Sequence, residues 1–312
     1  MKSIAVSGIS GFVGGNLKTH LLRLYNVSGV SRIENKEKNI VSYINFNKEF
    51  LDEKYAFIHL AGKAHDLRKG VSDDEYYKAN TDLTIKLFDQ FLESDCKIFI
   101  YLSSVKAVAD KVEKVLIEET IPNPITAYGK SKLKAEEYIL SKKWDKDKKV
   151  YILRPCMIHG ANNKGNLNLL YKLVIKNIPF PLGKFENKRS FLSVDNLCFV
   201  IEKLMDVRPG SGVYNISDND AISTNELIKL IAKTSNKREL ILNIPKAIIL
   251  KMAFIGDKIG LPLNTEKLEK LTDNYCVSNT KIVNAIGEQL PFSAIDGLIK
   301  TIKSFKEPIK ND

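Results

Sequence analysis

Sulfur and imidazole are scarce in this chain of 312 residues, and their scarcity removes several kinds of chemistry. The four cysteines, Cys96, Cys156, Cys198 and Cys276, form no CxxC pair. Three of them sit in apolar runs, where a free thiol packs as a small hydrophobe, so neither a disulfide framework nor a zinc site is indicated. The four histidines show no HxxxH or HExxH spacing, and no metal is expected. Long hydrophobic runs are missing too: no stretch reaches the roughly 18 uninterrupted apolar residues of a membrane span. Met1–Ser7 enters directly into a strand-like run without an apolar leader or cleavage site, so a cytoplasmic location is expected. Internal repeats and low-complexity segments are absent, apart from a charged tail after Phe305.

Hydrophobic residues make up 44% of the chain, enough for a substantial core in one large domain or in a main domain with a smaller lobe. Forty-eight basic residues against 37 acidic ones leave a net charge of +11. Most of the excess is lysine interspersed with acids, as in Lys142–Lys149, a pattern of solvated helix ends and loops that argues against nucleic acid as a partner.

The first half alternates strands and helices. Residues 2–7 read as a buried strand that runs into Gly8-Ile-Ser-Gly11-Phe12-Val13-Gly14 and then a helix through Leu17, Leu21, Leu22 and Leu24. Strand, glycine loop and helix form the context of a dinucleotide fingerprint, in which backbone N–H groups and the helix dipole face a pyrophosphate. The spacing here is GxxGxxG. A second strand, Val27–Val30, ends at Ser31-Arg32, where an acid would accept from the adenosine ribose of NAD. Arg32 can instead pair with a 2′-phosphate, so NADP is favoured over NAD. A short strand is predicted around Ile40–Ile44 and a buried one over Ala56–Leu60, which leads into the small-residue loop Ala61-Gly62 at the cofactor crevice. His59 reads as a core histidine; His65, in the loop that follows, is within reach of a substrate. A helix predicted over Asp74–Glu93 carries Asn80, and the strand Lys97–Leu102 delivers Ser103 and Ser104 at its carboxyl end.

The chemical centre is Ala127–Leu133. It places Tyr128 and Lys132 four residues apart in a helical pattern, on one face. A lysine ammonium there, near a nicotinamide ribose, favours the phenolate and draws the tyrosine pKa toward working pH, which makes Tyr128 a usable proton carrier. Ser104 can hydrogen-bond the same substrate oxygen.

Eight pieces in order, Gly8xxGly11xxGly14, His59–Gly62, Asn80, Leu102–Ser104, Tyr128–Lys132, Leu153–Pro155, Arg189–Asp195 and Tyr214–Ser217, resemble the extended short-chain dehydrogenases/reductases, specifically the nucleotide-sugar epimerase/dehydratase/reductase family. The resemblance implies an α/β fold: a Rossmann-type doubly wound parallel sheet with a smaller C-terminal α/β substrate lobe. The expected division is 1–164 for the dinucleotide-binding part, with segments around 191–216 returning to it, and 165–312 mainly for the substrate. It also implies Tyr128 as acid/base, Lys132 on the nicotinamide ribose and Ser104 at the reacting hydroxyl. The residues expected to bind cofactor are Gly8, Gly11, Phe12, Val13, Gly14, Arg32, Leu60, Ala61, Gly62, Asn80, Tyr128, Lys132 and Pro155. Those expected to bind substrate are His65, Ser104, Lys106, Asn166 and Arg189, with the diphosphate or its sugar at Asn166 and the pyrophosphate at Arg189.

Sugar 4,6-dehydratases carry an acidic pair directly after the catalytic Ser/Thr, and here those positions are Val105 and Lys106, so dehydration is not expected. Ser103-Ser-Val-Lys106, Gly165-Asn166 and Pro181-Leu-Gly183 are similar to a subgroup that acts at C4 of N-acetylated hexoses on UDP or undecaprenyl diphosphate. Arg32 tips the expectation toward a 4-ketoreductase; the alternative is an NAD-retaining 4-epimerase. A homodimer is expected. The apolar stretch Ile244–Ile255, which carries Lys246 and Lys251, is expected to form a core or subunit-interface helix in preference to one lying on a membrane surface.

Overall fold

The computed structural model describes residues 1–37, 39–63, 72–161, 163, 166–259 and 264–305. The strands in chain order are β1 (Lys2–Ser7), β2 (Tyr25–Ser31), β3 (Ile40–Ser42), β4 (Ala56–His59), β5 (Ile98–Leu102), β6 (Lys149–Pro155), β7 (Met157–His159), β8 (Arg189–Ser193), β9 (Gly212–Ile216) and β10 (Ala221–Ile222). Seven of them form one sheet in the order β3-β2-β1-β4-β5-β6-β9, and every pairing is parallel. Parallel neighbours need crossover connections, so helices cover both faces and alternate residues of each strand feed two separate cores. On one face Ile4, Val6, Ile58, Ile100 and Leu153 pack with Leu17, Leu21, Leu197 and Ile201 of the helices Phe12–Leu21 and Val194–Val207. On the other, Ala5, Phe57, Phe99, Tyr101 and Ile152 meet Phe88, Phe91, Ala135 and Ile139 of the helices Leu83–Glu93 and Ala127–Ser141. Phe99 is the hub of that second core, with the rings of Phe57, Phe88 and Phe91 centred 5.6, 4.9 and 5.2 Å away.

Because the strands are parallel, all seven carboxyl ends lie along one edge. The strand order turns back between β1 and β4, which opens a crevice above that edge. A smaller mixed sheet joins β10, β8 and β7, with β7 parallel and β10 antiparallel to β8. It is backed by its own apolar cluster, including Phe180, Leu182, Phe191, Leu227, Ile231 and Leu298. The doubly wound α/β fold with a smaller C-terminal α/β part is therefore the one the sequence resemblance implied.

One predicted helix is not regular. Over Asp74–Glu93 the chain forms a first turn Asp73–Tyr76, a π-helical turn Tyr77–Asp82 and the helix Leu83–Glu93. The wide turn sets Asn80 and Thr81, both buried, against the helix Ala127–Ser141, where Thr81 Oγ1 donates to the carbonyl of Ser131 at 2.8 Å.

That helix begins at Thr126, whose Oγ1 accepts from the N–H of Gly129 at 3.2 Å. It is pinned to the sheet by a buried ion pair: Arg154 of β6 donates through Nη2 to Glu136 Oε2 at 2.6 Å and through Nε to both carboxylate oxygens, and Ser103 at the end of β5 donates to Oε1. The two side chains are 6% and 1% exposed, so neither charge has water to fall back on. Breaking such a pair leaves an unpaired buried charge and costs about 3–5 kcal/mol, whereas an apolar replacement of both partners can be close to neutral. Arg154→Met should therefore lower the unfolding free energy in urea by about that amount, and Arg154→Met combined with Glu136→Leu should recover most of it. If the double variant is no more stable than the single one, the pair is not a closed unit.

Candidate active site

The glycine loop opens the crevice. Gly8 has φ +72°, and a Cβ on it would stand 2.8 Å from the N atom of Ala61 in the loop after β4; a Cβ on Gly14 would stand 2.2 Å from the carbonyl oxygen of Gly8. The backbone is thus folded tightly enough for only glycine to fit. Gly11 caps the helix Phe12–Leu21 with no side chain, so the N–H groups of the first turn, Phe12, Val13 and Gly14, lack a side-chain cap at the mouth of the crevice. Such a cradle fits a dinucleotide pyrophosphate. Arg32 follows directly on β2, exposed, and lies close enough to Tyr43 to work against the effect of burial on that phenol, whose pKa is pushed up to about 12. Glu34 is occupied elsewhere, accepting from Asn45 Nδ2 at 2.6 Å.

Leu60, Ala61 and Gly62 leave β4 along the same edge, and Asn80 holds this loop in place. Its Oδ1 accepts from the N–H of Lys63 at 2.7 Å, and its Nδ2 donates to the carbonyl of Lys63 at 3.1 Å and to Ser131 Oγ at 3.0 Å. Asn80, expected among the cofactor contacts, is fully buried with both ends of its amide used in bracing. His59 is the core histidine expected. It shares hydrogen bonds with Ser7 at 2.6 Å and Thr84 at 2.9 Å, and burial, with Lys132 nearby, pulls its pKa down to about 3.

Ser104, Tyr128 and Lys132 meet where β5 ends. Ser104 caps the short turn Val105–Ala107 by accepting from the N–H of Lys106 at 3.2 Å, and its hydroxyl also faces Tyr128. Burial raises the Tyr128 phenol above its usual pKa, the Ser104 hydrogen bond acts to lower it, and Tyr76, edge-on with its ring centre 6.3 Å away, acts to raise it. Lys132 Nζ donates to the carbonyl of Leu102 at 2.9 Å, and a Cβ on Gly62 would stand 3.1 Å from that nitrogen. Burial brings Lys132 down to about 8, partly offset by Glu136 one turn on. Pro155 ends β6 on the same edge, and its neighbour Arg154 is committed to Glu136.

A second cluster is cationic. Lys106 Nζ donates to the carbonyl of Asp110 at 2.8 Å and lies 4.4 Å above the Tyr275 ring. Burial lowers its pKa to about 8; Asp110 and Asp273 work against the lowering and Arg189 and Lys270 add to it, so carboxylates stand among these cations. Arg189, at the start of β8, donates through Nη1 to the carbonyls of Lys270 and Asp273 at 2.9 and 3.2 Å. Of the other expected substrate contacts, His65 and the Asn166 side chain lie outside the described residues; Asn166 begins the helix Asn166–Ile175.

Several members of this arrangement were not singled out from the sequence. Glu136 continues the spacing of Tyr128 and Lys132 by another four residues, a signal that was available. Ser131, which donates to the carbonyl of Tyr128 at 2.8 Å while accepting from Asn80, and Tyr275 under Lys106 carry no comparable pattern.

Residues 4–217 match the NAD dependent epimerase/dehydratase family. The chain is similar to a UDP-glucose 4-epimerase of Vibrio cholerae, 30% identical over 97% of this chain and 95% of that protein. It is similar also to an N-acetyl-alpha-D-glucosaminyl-diphospho-ditrans,octacis-undecaprenol 4-epimerase of Escherichia coli O157:H7, 25% identical over 96% of this chain and 94% of that one. In fold it resembles the crystal structure of a UDP-N-acetylglucosamine 4-epimerase from Bacillus cereus, with a TM-score of 0.78 and 19% identity over 98% of this chain and 100% of that one. With the family matched across the whole parallel sheet and a relative at 30% identity along nearly the full length, the chain belongs to the NAD dependent epimerase/dehydratase family.

Proposed function

We propose that the protein is a 4-epimerase of a hexose carried on a diphosphate, with NAD as its resident cofactor. The observation that carries the reading is the meeting of Ser104, Tyr128 and Lys132 at the carboxyl edge beside the glycine loop, in a chain similar along nearly its full length to two proteins named as 4-epimerases. When bound, oxidised NAD supplies a hydride acceptor and a positive charge, and returns the hydride later.

The chain's own residues do the rest. The N–H groups of Phe12–Gly14 hold the pyrophosphate. Tyr128 takes the proton of the C4 hydroxyl as the C4 hydrogen leaves as hydride, which converts the alcohol to a 4-ketone. Ser104 hydrogen-bonds the same oxygen, and Lys132, one turn on from Tyr128 with Nζ at the carbonyl of Leu102, is placed to hold the nicotinamide ribose and support the phenolate. Hydride return to the opposite face of the ketone, with the proton given back by Tyr128, yields the epimer. Lys106 and Arg189 hold the diphosphate, and residues 165–312 serve mainly the substrate. Val105 and Lys106 replace the acidic pair that dehydration would need.

The 4-ketoreductase favoured from the sequence gives way here. Its support was Arg32, which stands exposed at the tip of β2 and can lie over an adenine as well as pair with a 2′-phosphate. The family is described as NAD dependent, and the preference for NADP is not carried forward.

Purified protein should release stoichiometric NAD on denaturation and epimerise without added cofactor. Net consumption of NADPH with a 4-keto-sugar would make it a reductase. Tyr128→Phe should lower kcat by at least about 10²-fold with NAD retained, and a loss of only a few-fold would remove Tyr128 from the proton path. Arg189→Ala should raise KM by at least about tenfold, the loss of one charge-assisted hydrogen bond, and leave kcat nearly unchanged. An unchanged KM with a collapsed melting temperature would make Arg189 a brace for the carbonyls of Lys270 and Asp273 only.

A further inference from the structure

The helix Lys246–Ile259 is built inside out. The side turned to the protein carries Ile249, Ala253 and Gly256, two of them small, whereas Ile248, Leu250, Met252, Phe254, Ile255 and Ile259 are between 42% and 66% exposed. Ile248, Met252, Ile255 and Ile259 fall at i, i+4, i+7 and i+11, the stripe that a surface helix ordinarily keeps for its core side. Of the core and subunit-interface positions expected from the sequence, Ile249, Ala253 and Gly256 take the first, while the rest of the apolar face is exposed. Lys246, Lys251 and Lys258 stand on the same helix without an ion pair among the described residues, Lys246 and Lys258 lying over the rings of Phe185 and Phe254 at 5.7 and 4.7 Å. The single acid, Asp257, is taken up by Thr265, which donates from its N–H and its hydroxyl at 3.1 and 2.5 Å.

We propose that this face lies on an anionic lipid bilayer and that the diphosphate carrier of the hexose is a membrane-embedded polyprenyl lipid. At about 1.5 Å per residue the helix is about 21 Å long, too short to cross a hydrocarbon core of about 30 Å, and its apolar stripe with unpaired lysines has the composition of a helix lying in the interface plane. The position fits the carrier. The helix packs against the helix Thr265–Thr272 through Ile249, Ala253 and Leu268, and the carboxyl end of that helix receives Arg189. A diphosphate held at Lys106 and Arg189 is thus one helix away from the membrane-facing stripe.

The inference rests on the diphosphate-hexose reading and adds the carrier to it. Full-length protein should co-sediment with mixed phosphatidylcholine and phosphatidylglycerol vesicles, at least about tenfold better than with phosphatidylcholine alone. Phe254→Ser with Ile255→Ser should cut that binding at least about tenfold, with an unchanged melting temperature to show that these exposed positions leave the fold intact. Tyr128→Phe should bind vesicles as wild type does, and wild type that binds vesicles without epimerising would count against the function and not the surface. Wild type that stays in solution with the anionic vesicles overturns the proposal, and so does a dimer that the Phe254/Ile255 variant turns into monomers without any vesicle binding. Turnover of a UDP-linked hexose equal to that of the polyprenyl-diphosphate hexose in vesicles overturns the carrier.

Discussion

The carboxylate of Glu136 is the point on which the catalytic helix turns. It accepts from the guanidinium of Arg154 on β6 and from the hydroxyl of Ser103 at the end of β5, so one side chain fixes the helix against two adjacent strands. Glu136 is two turns beyond Tyr128 and one beyond Lys132, and its anchoring sets the height and rotation at which both meet the sheet edge. Its charge also works on the site directly, because it offsets the burial that lowers the Lys132 pKa. A neutral anchor of the same shape would position the helix but lose that support for the ammonium.

The cleft sorts its charges by place. Backbone N–H groups at the glycine loop offer a partial positive charge of fixed direction, whereas Lys106 and Arg189 offer full charges at the other end, with the carboxylates of Asp110 and Asp273 nearby. Between them is the Tyr128 phenol, which burial holds above its ordinary pKa. Anions are thus drawn to both ends of the cleft while the middle is kept for proton transfer.

Much of this was legible in the chain. Parallel strands buried on both faces read as continuous apolar runs, and the glycine loop, the two serines after β5 and the Tyr128–Lys132 spacing each carry a local signal that survives folding. What was not legible depends on partners distant in sequence. The ion pair of Glu136 with Arg154 joins helix to strand, and the use of Asn80 as a brace needs a π-helical turn, which leaves no periodic trace when the residues turned inward are Asn80 and Thr81. β7 and β10, of three and two residues, are too short to show an alternation. The stretch around Ile248–Ile255 left core and subunit interface open for a related reason: apolar residues imply burial only when there is a surface to cover them, and within the chain only Ile249, Ala253 and Gly256 find one.

The bracing by Asn80 also bears on motion. The loop after β4 is bonded to Asn80 through both the N–H and the carbonyl of Lys63, Asn80 is bonded to Ser131, and Ser131 is bonded to the carbonyl of the proton-carrying Tyr128. Any opening of that loop must either break this chain of hydrogen bonds or carry the first turn of the catalytic helix with it. The floor of the crevice and the tyrosine therefore move as one mechanical unit, and the protein can loosen its grip on a dinucleotide only by also disturbing the group that handles the substrate's proton. For the epimerase proposed above, which would return its hydride to the molecule it came from, such a linkage favours a cofactor that stays through many turnovers.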